Sequence, residues 1–175
     1  MNPLKGGPPQ GGWRRTVLRA PIPLYRWGLG ALLGRRLVLL THIGRKSGQP
    51  RQVCLEVVGR GEEPGSFVVA SGYGERSQWF RNILAHPGVR YQVGGRKYEG
   101  TALPYAPEES GRRLAAYAER HPRTAAKLMD ALGHAPKSAE EYAAIGADHA
   151  GGVPLVALRP STGNRQAGAG FDGPL

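Results

Sequence analysis

Cysteine is nearly absent from this 175-residue chain, Cys54 standing alone, which excludes an intrachain disulfide and a zinc cluster of the usual Cys/His spacing. Acidic side chains are scarce as well, 13 against 24 basic, and the formal charge is +11. Such a balance favours an anionic partner: a polyanionic cofactor, an acidic membrane surface or nucleic acid. Charge alone does not choose among these, and the 19 Arg beside only five Lys, with many Gly and Ala, also match GC-rich coding. Nucleic acid is not expected, because no recognised binding motif accompanies the charges. Long apolar runs are missing too. The stretch from Leu24 to Leu40 is broken by Arg26, Arg35 and Arg36, so it falls short of the roughly 20 apolar residues of a membrane span. Lys5, Arg14 and Arg15 precede an apolar run as in a secretory leader, yet Arg26 interrupts it and no small-x-small cleavage site follows. A cytoplasmic protein is expected.

Several catalytic signatures fail on single residues. Gly44-Arg45-Lys46-Ser47 lacks the glycine that a Walker A loop carries before its lysine. Gly28-Leu29-Gly30 and Gly72-Tyr73-Gly74 are followed by Leu33 and Ser77 where a dinucleotide fingerprint needs its third glycine. His42, His86, His121, His134 and His149 form no i, i+4 pair and have no acidic partner at ligand spacing, so no metal site is expected and they read as loop or surface histidines. Neither Ser71 nor Ser77 sits in a Gly-x-Ser-x-Gly elbow, which removes a hydrolase triad with His42 and Asp130.

The chain is long enough for one domain that buries on the order of 70% of its unfolded surface. Residues 1–12 and 161–175 are rich in Gly and Pro or aperiodic and read as disordered ends, leaving 13–160 as the folded domain. Apolar residues between Pro23 and Leu33 suggest a short helix. Across the N-terminal segment Arg14, Arg15, Arg19 and Arg26 interleave with Trp13, Tyr25 and Trp27, suited either to peripheral contact with an anionic membrane or to packing across the fold. Strands are predicted at Leu37 to His42, Gln52 to Val58, Phe67 to Ser71, Val89 to Val93, Arg96 to Leu103 and Val153 to Leu158. Ser77 caps a predicted helix whose Trp79, Phe80, Ile83 and Leu84 cover one face, with Gln78, Arg81 and Asn82 opposite. Pro107-Glu108-Glu109 opens another that stops before Pro122, a third runs on to Leu132, and Ser138 with Glu141 forms a capping box for a last one. Tight turns between strands, rather than helical crossovers, indicate an α+β fold: six mainly antiparallel strands in a small closed or split β-barrel with peripheral helices.

Between the first two strands, Gly44-Arg45-Lys46-Ser47-Gly48-Gln49-Pro50-Arg51 concentrates three cations, a hydroxyl and backbone amides in one turn. Arginine presents a planar fork to phosphate, lysine a mobile point charge, and glycine lets the backbone approach an anion. The same composition suits a solvated basic hairpin.

Leu39-Leu40-Thr41-His42-Ile43-Gly44-Arg45-Lys46-Ser47-Gly48-Gln49-Pro50-Arg51, then Val69-Ala70-Ser71-Gly72-Tyr73-Gly74, then Trp79-Phe80-Arg81-Asn82-Ile83-Leu84-Ala85-His86-Pro87 together resemble the deazaflavin-dependent nitroreductase family. The resemblance spans roughly Leu37 to Leu103. It implies a split barrel that binds coenzyme F420, whose tail carries a phosphate and glutamates, with FMN as the alternative cofactor. By that resemblance Arg45, Lys46, Ser47, Gly48 and Arg51 grip the tail, while Ser71, Gly72, Ser77, Gln78, Trp79 and Asn82 line the ring. The implied reaction passes a hydride from reduced cofactor to an electron-poor conjugated acceptor such as a quinone or enone. Members active on nitroimidazoles carry pocket tyrosines where this chain places Glu56, His121, Thr124 and Lys127, so a different substrate pocket is expected around Glu56, His121 and Lys127, with Glu56 or His121 as a proton source. A non-catalytic anion-binding protein at the membrane surface is the alternative from another class. Barrels of this kind often pair, which leaves a dimer open.

Overall fold

A computed structural model describes residues 36–161. The predicted helix between Pro23 and Leu33, the basic aromatic segment and the predicted disordered ends fall outside these residues, apart from Ser161.

Alternation of apolar side chains produces strands β1 (Leu37–Ile43), β2 (Pro50–Arg60), β3 (Phe67–Ala70), β4 (Gly88–Val93), β5 (Arg96–Pro104) and β6 (Leu155–Pro160). All pairings are antiparallel, and the order β1-β2-β3-β6-β5-β4 closes on itself as β4 pairs with β1. Closure gives every strand two neighbours over at least part of its length, and an inner and an outer face. Val38, Leu40, Leu55, Val69, Tyr91, Val156 and Leu158 meet inside. The outer face of β3 and β6, with Val68, Ala70 and Leu155, is covered by helices α2 (Pro107–Arg120), α3 (Pro122–Ala131) and α4 (Ala139–Ala147) through Leu114, Tyr117, Met129 and Tyr142.

Ser110 joins three of these elements. Its hydroxyl, fully buried, donates to Gly146 O of α4 at 2.6 Å and accepts from Leu155 N of β6 at 2.8 Å. The helix boundaries follow local chemistry: Pro107 and Pro122 occupy first-turn positions where no intrahelical donor is needed. At α4, Ser138 Oγ accepts from Glu141 N (3.3 Å), while Glu141 Oε2 reaches past the cap to Lys137 N (2.8 Å).

Helix α1 (Gln78–Ala85) joins the inner core with Trp79, Phe80 and Ile83. The observed buried face differs from the predicted one: Asn82 is 3% exposed, whereas Leu84 is 54% exposed. At 3.6 residues per turn, position 82 shares the face of 79 and 83, and hydrogen-bond partners under the helix make that burial affordable for a polar side chain. β6 begins two residues later than predicted. Val153 N donates to Ile145 O at the end of α4, and Pro154 O accepts from Ser71 N, so both are engaged outside the β6 ladder. Among the described residues no helix is long and apolar enough to cross a membrane.

Candidate functional site

The β1–β2 turn is closed by its own backbone. Gly44 N donates to Gln49 O (2.9 Å), Ser47 N and Gly48 N to Gly44 O (3.2 and 2.8 Å), and Gln49 N to Ser47 Oγ (3.4 Å). Gly48 takes φ +64°, a left-handed conformation that glycine adopts without a Cβ penalty. Arg45 N donates to Asn82 Oδ1 (3.1 Å). The backbone amides expected to face an anion here are instead consumed within the turn and across to α1, leaving Lys46 N without a partner among the described residues. What the turn offers an anion is therefore side chains. Lys46 and Arg51 are exposed, and Arg51 makes only a long 3.5 Å contact from Nη2 to Ser47 Oγ.

Arg45 reaches the other way. Its Nη1 donates to Gln78 Oε1 (3.0 Å) and to Asn82 Oδ1 (2.9 Å), fastening the turn to the first two turns of α1. Asn82 Nδ2 meets His42 Nδ1 at 3.2 Å. Because Asn82 Oδ1 accepts from Arg45, Nδ2 is the donor, and His42 Nδ1 must accept as a neutral ring protonated on Nε2. Burial pushes the His42 pKa down to about 4, the backbone hydrogen bond at Ile43 opposing and the Arg51 charge adding to the effect. His42 is thus a buried member of the site, 3% exposed, not the loop or surface histidine expected. The signal lay in the alternation Val38, Leu40, His42, which puts it on the inner face of β1.

Ahead of α1 in the chain, Ser71 is fully buried, its N bonded to Pro154 O (2.9 Å) and its Oγ near Gly74 O (3.5 Å). Gly72 lies directly under the Leu132 side chain at the end of α3. Ser77 caps α1 only through its carbonyl, which accepts from Arg81 N; its hydroxyl makes no cap bond, unlike the predicted capping. Trp79 packs within the barrel core, edge-on to Phe80 at 5.9 Å, with 7% of its surface exposed.

β3 pairs with β2 only from Val57 onward, so among the described residues the edge of β2 from Pro50 to Glu56 has no second strand neighbour. Continuing the register places Ser71 level with Leu55, about 13 Å along β2 from Arg51 at the usual strand rise. The result is a strip with cations at one end and the Ser71–Gly72 backbone at the other.

Residues 26–130 match the sequence family described as F420H(2)-dependent quinone reductase. The chain belongs to that family. An F420H(2)-dependent quinone reductase of Mycobacterium tuberculosis is 33% identical over 101 residues, a match covering 53% of this chain and 66% of the relative's length. A solved F420-H2 dependent reductase (FDR-A) aligns over 72% of this chain and 96% of its own, with 24% identity and a TM-score of 0.44. A protein of unknown function from Agrobacterium tumefaciens shares the fold over 87% of this chain and 58% of its own, at 20% identity and a TM-score of 0.50.

Of the residues expected in a substrate pocket, the structure groups some and separates one. Glu56, on the outer face of β2, has its carboxyl pKa raised by burial, with the Arg36 charge opposing. Tyr117 of α2, missed in the sequence, has its pKa raised by burial and by the Glu56 charge, and its ring lies 5.4 Å from that of His121. Lys127 is exposed on α3 and makes no hydrogen bond or ion pair with this group. Only tertiary packing of α2 on β2 could have revealed Tyr117.

Proposed function

We propose that the chain transfers a hydride from reduced coenzyme F420 to a quinone-type acceptor. The observation that carries this reading is the fastening of the cationic turn to α1 through Arg45, Gln78 and Asn82, in a chain of the F420H(2)-dependent family. The donor set fits the cofactor. Lys46 and Arg51 stand exposed on the turn for a phosphate and glutamate tail, and Arg45 is oriented in advance, which lowers the ordering cost of binding.

When bound, the reduced deazaflavin supplies the hydride; the protein supplies position. The side chains of Arg45, Lys46, Ser47 and Arg51 hold the tail, Gly48 shaping the turn with its N–H spent on Gly44 O, and the strip along β2 leads from them to Ser71, Gly72 and α1. We place the acceptor end near Glu56, Tyr117 and His121, where a carboxyl with a raised pKa is suited to hold a proton.

Titration with F420 at low and high salt tests the tail assignment, since charge-assisted contacts near the surface weaken with ionic strength. Loss of one such contact in Arg45→Ala or Lys46→Ala is expected to weaken binding about ten- to a hundredfold. Oxidation of reduced F420 by a quinone and enone panel, followed by absorbance, tests the reaction. Unchanged affinity in both variants, purification with bound FMN, or cofactor binding without hydride transfer to any acceptor would each overturn a separate part. Nitroimidazoles are expected to be reduced weakly or not at all, and rapid turnover of them would contradict the pocket assignment.

A further inference from the structure

At the barrel end opposite the cationic turn, a cavity of about 140 Å³ lies between the β2–β3 turn, β6 and α2. Ser66 lines it and is 5% exposed, yet its Oγ has no hydrogen-bond partner. The walls are fixed. Gly61 N donates to Ser66 O and Ser66 N to Glu63 O, both at 3.0 Å, while Tyr91 OH ties Gly65 O to the barrel at 2.9 Å. Arg113 sits 4.5 Å over the Tyr105 ring and donates from Nε to Glu109 (2.6 Å), which orients its guanidinium and leaves both Nη groups without partners among the described residues. Arg159, Glu62 and Glu63, all exposed, are among the other lining residues.

Lining residues of both signs complement a ligand that itself carries both signs better than a simple anion or cation. Here two acidic and two basic residues line a cavity that also holds a buried hydroxyl without a partner. We infer that this cavity binds a small zwitterion of the α-amino-acid type. Its carboxylate lies toward Arg113 and Arg159, its ammonium toward Glu62 and Glu63, and a polar atom reaches Ser66 Oγ. Side chains of modest size fit, since a cavity of about 150 Å³ accommodates benzene and thus about six to eight non-hydrogen atoms. The site lies apart from the cofactor strip and does not depend on the reading given above for it.

Isothermal titration of the full chain with L-alanine, L-serine and L-valine, with acetate and methylammonium as half-probes, tests the inference. At least one amino acid is expected to bind saturably with one-to-one stoichiometry, and both half-probes at least about tenfold more weakly, each lacking one charged contact. Ser66→Ala removes only an unpartnered hydroxyl, so it should fold normally while weakening amino-acid binding; Arg113→Gln and the double change Glu62→Gln with Glu63→Gln should each weaken it about tenfold or more. Absence of saturable binding up to about 10 mM, acetate binding as tightly as the amino acids, or undiminished binding in all three variants would overturn the assignment.

Discussion

Protonating His42 should unfasten the site and destabilise the fold together. The imidazole's pKa falls from 6.5 to about 4 on folding, chiefly through burial. The difference, about 2.5, at about 1.4 kcal/mol for each pH unit, amounts to about 3 kcal/mol. The sign follows from the depressed folded value: the unfolded chain binds the proton first, so this stability is fully present above pH 6.5 and is lost as pH falls towards 4. That is a large share of the 5–15 kcal/mol typical of a domain, roughly speaking. A protonated Nδ1 would also face the Asn82 amide donor, 3.2 Å away, and disturb the group that orients Arg45.

His134, lowered by burial and by Arg76, acts in the same direction, and Glu56, raised by burial, acts in the opposite one, so the wild-type curve alone is insufficient. The variant His42→Gln retains an acceptor for Asn82 Nδ2 and does not titrate. Urea unfolding followed by tryptophan fluorescence from pH 7.5 to 4 should show the wild type losing about 3 kcal/mol more than the variant, most of it below pH 6.5. Parallel curves, or an imidazole resonance of His42 titrating near its ordinary value, would refute the reasoning.

Asn82→Ala removes the shared acceptor of Arg45 N and Nη1 and should cost about 1–3 kcal/mol in urea unfolding; the same change should weaken F420 binding by about tenfold in titration, because Arg45 loses its orientation. Ser110→Ala strands Leu155 N in the interior and should destabilise by about 1–3 kcal/mol with little change in cofactor affinity, a split that unfolding and binding measurements together can read. For Glu56, a raised folded pKa means that wild-type stability declines as pH rises above the ordinary carboxyl value. Glu56→Gln should remove that decline, a small effect at a half-exposed site, and a variant less stable than wild type at pH 8 would show that attraction to Arg36 dominates.

Much of the fold could be read from the chain because local chemistry dictates it. Alternating Val and Leu mark the strands, Pro107 and Pro122 fix helix starts, and Ser138 with Glu141 fixes another. Local patterns misassigned Asn82, since a polar residue was placed on the outward face without knowledge of what lay beneath. The turn's amides were misread for the same reason. Their partners include Asn82, 37 residues away, and a backbone geometry that depends on Gly48 at positive φ.

By itself the sequence determined which charges stand together on the β1–β2 turn, because residues adjacent in the chain stay adjacent in any fold. It also determined the strand periodicity, since side-chain alternation is a property of the backbone. Tertiary structure alone decided that β4 closes on β1, that His42 is dry and neutral, and that Arg45 is held by α1. Each of these requires segments distant along the chain to exclude water from one another, and hydrogen-bond strength and proton affinity take their values only once that exclusion exists.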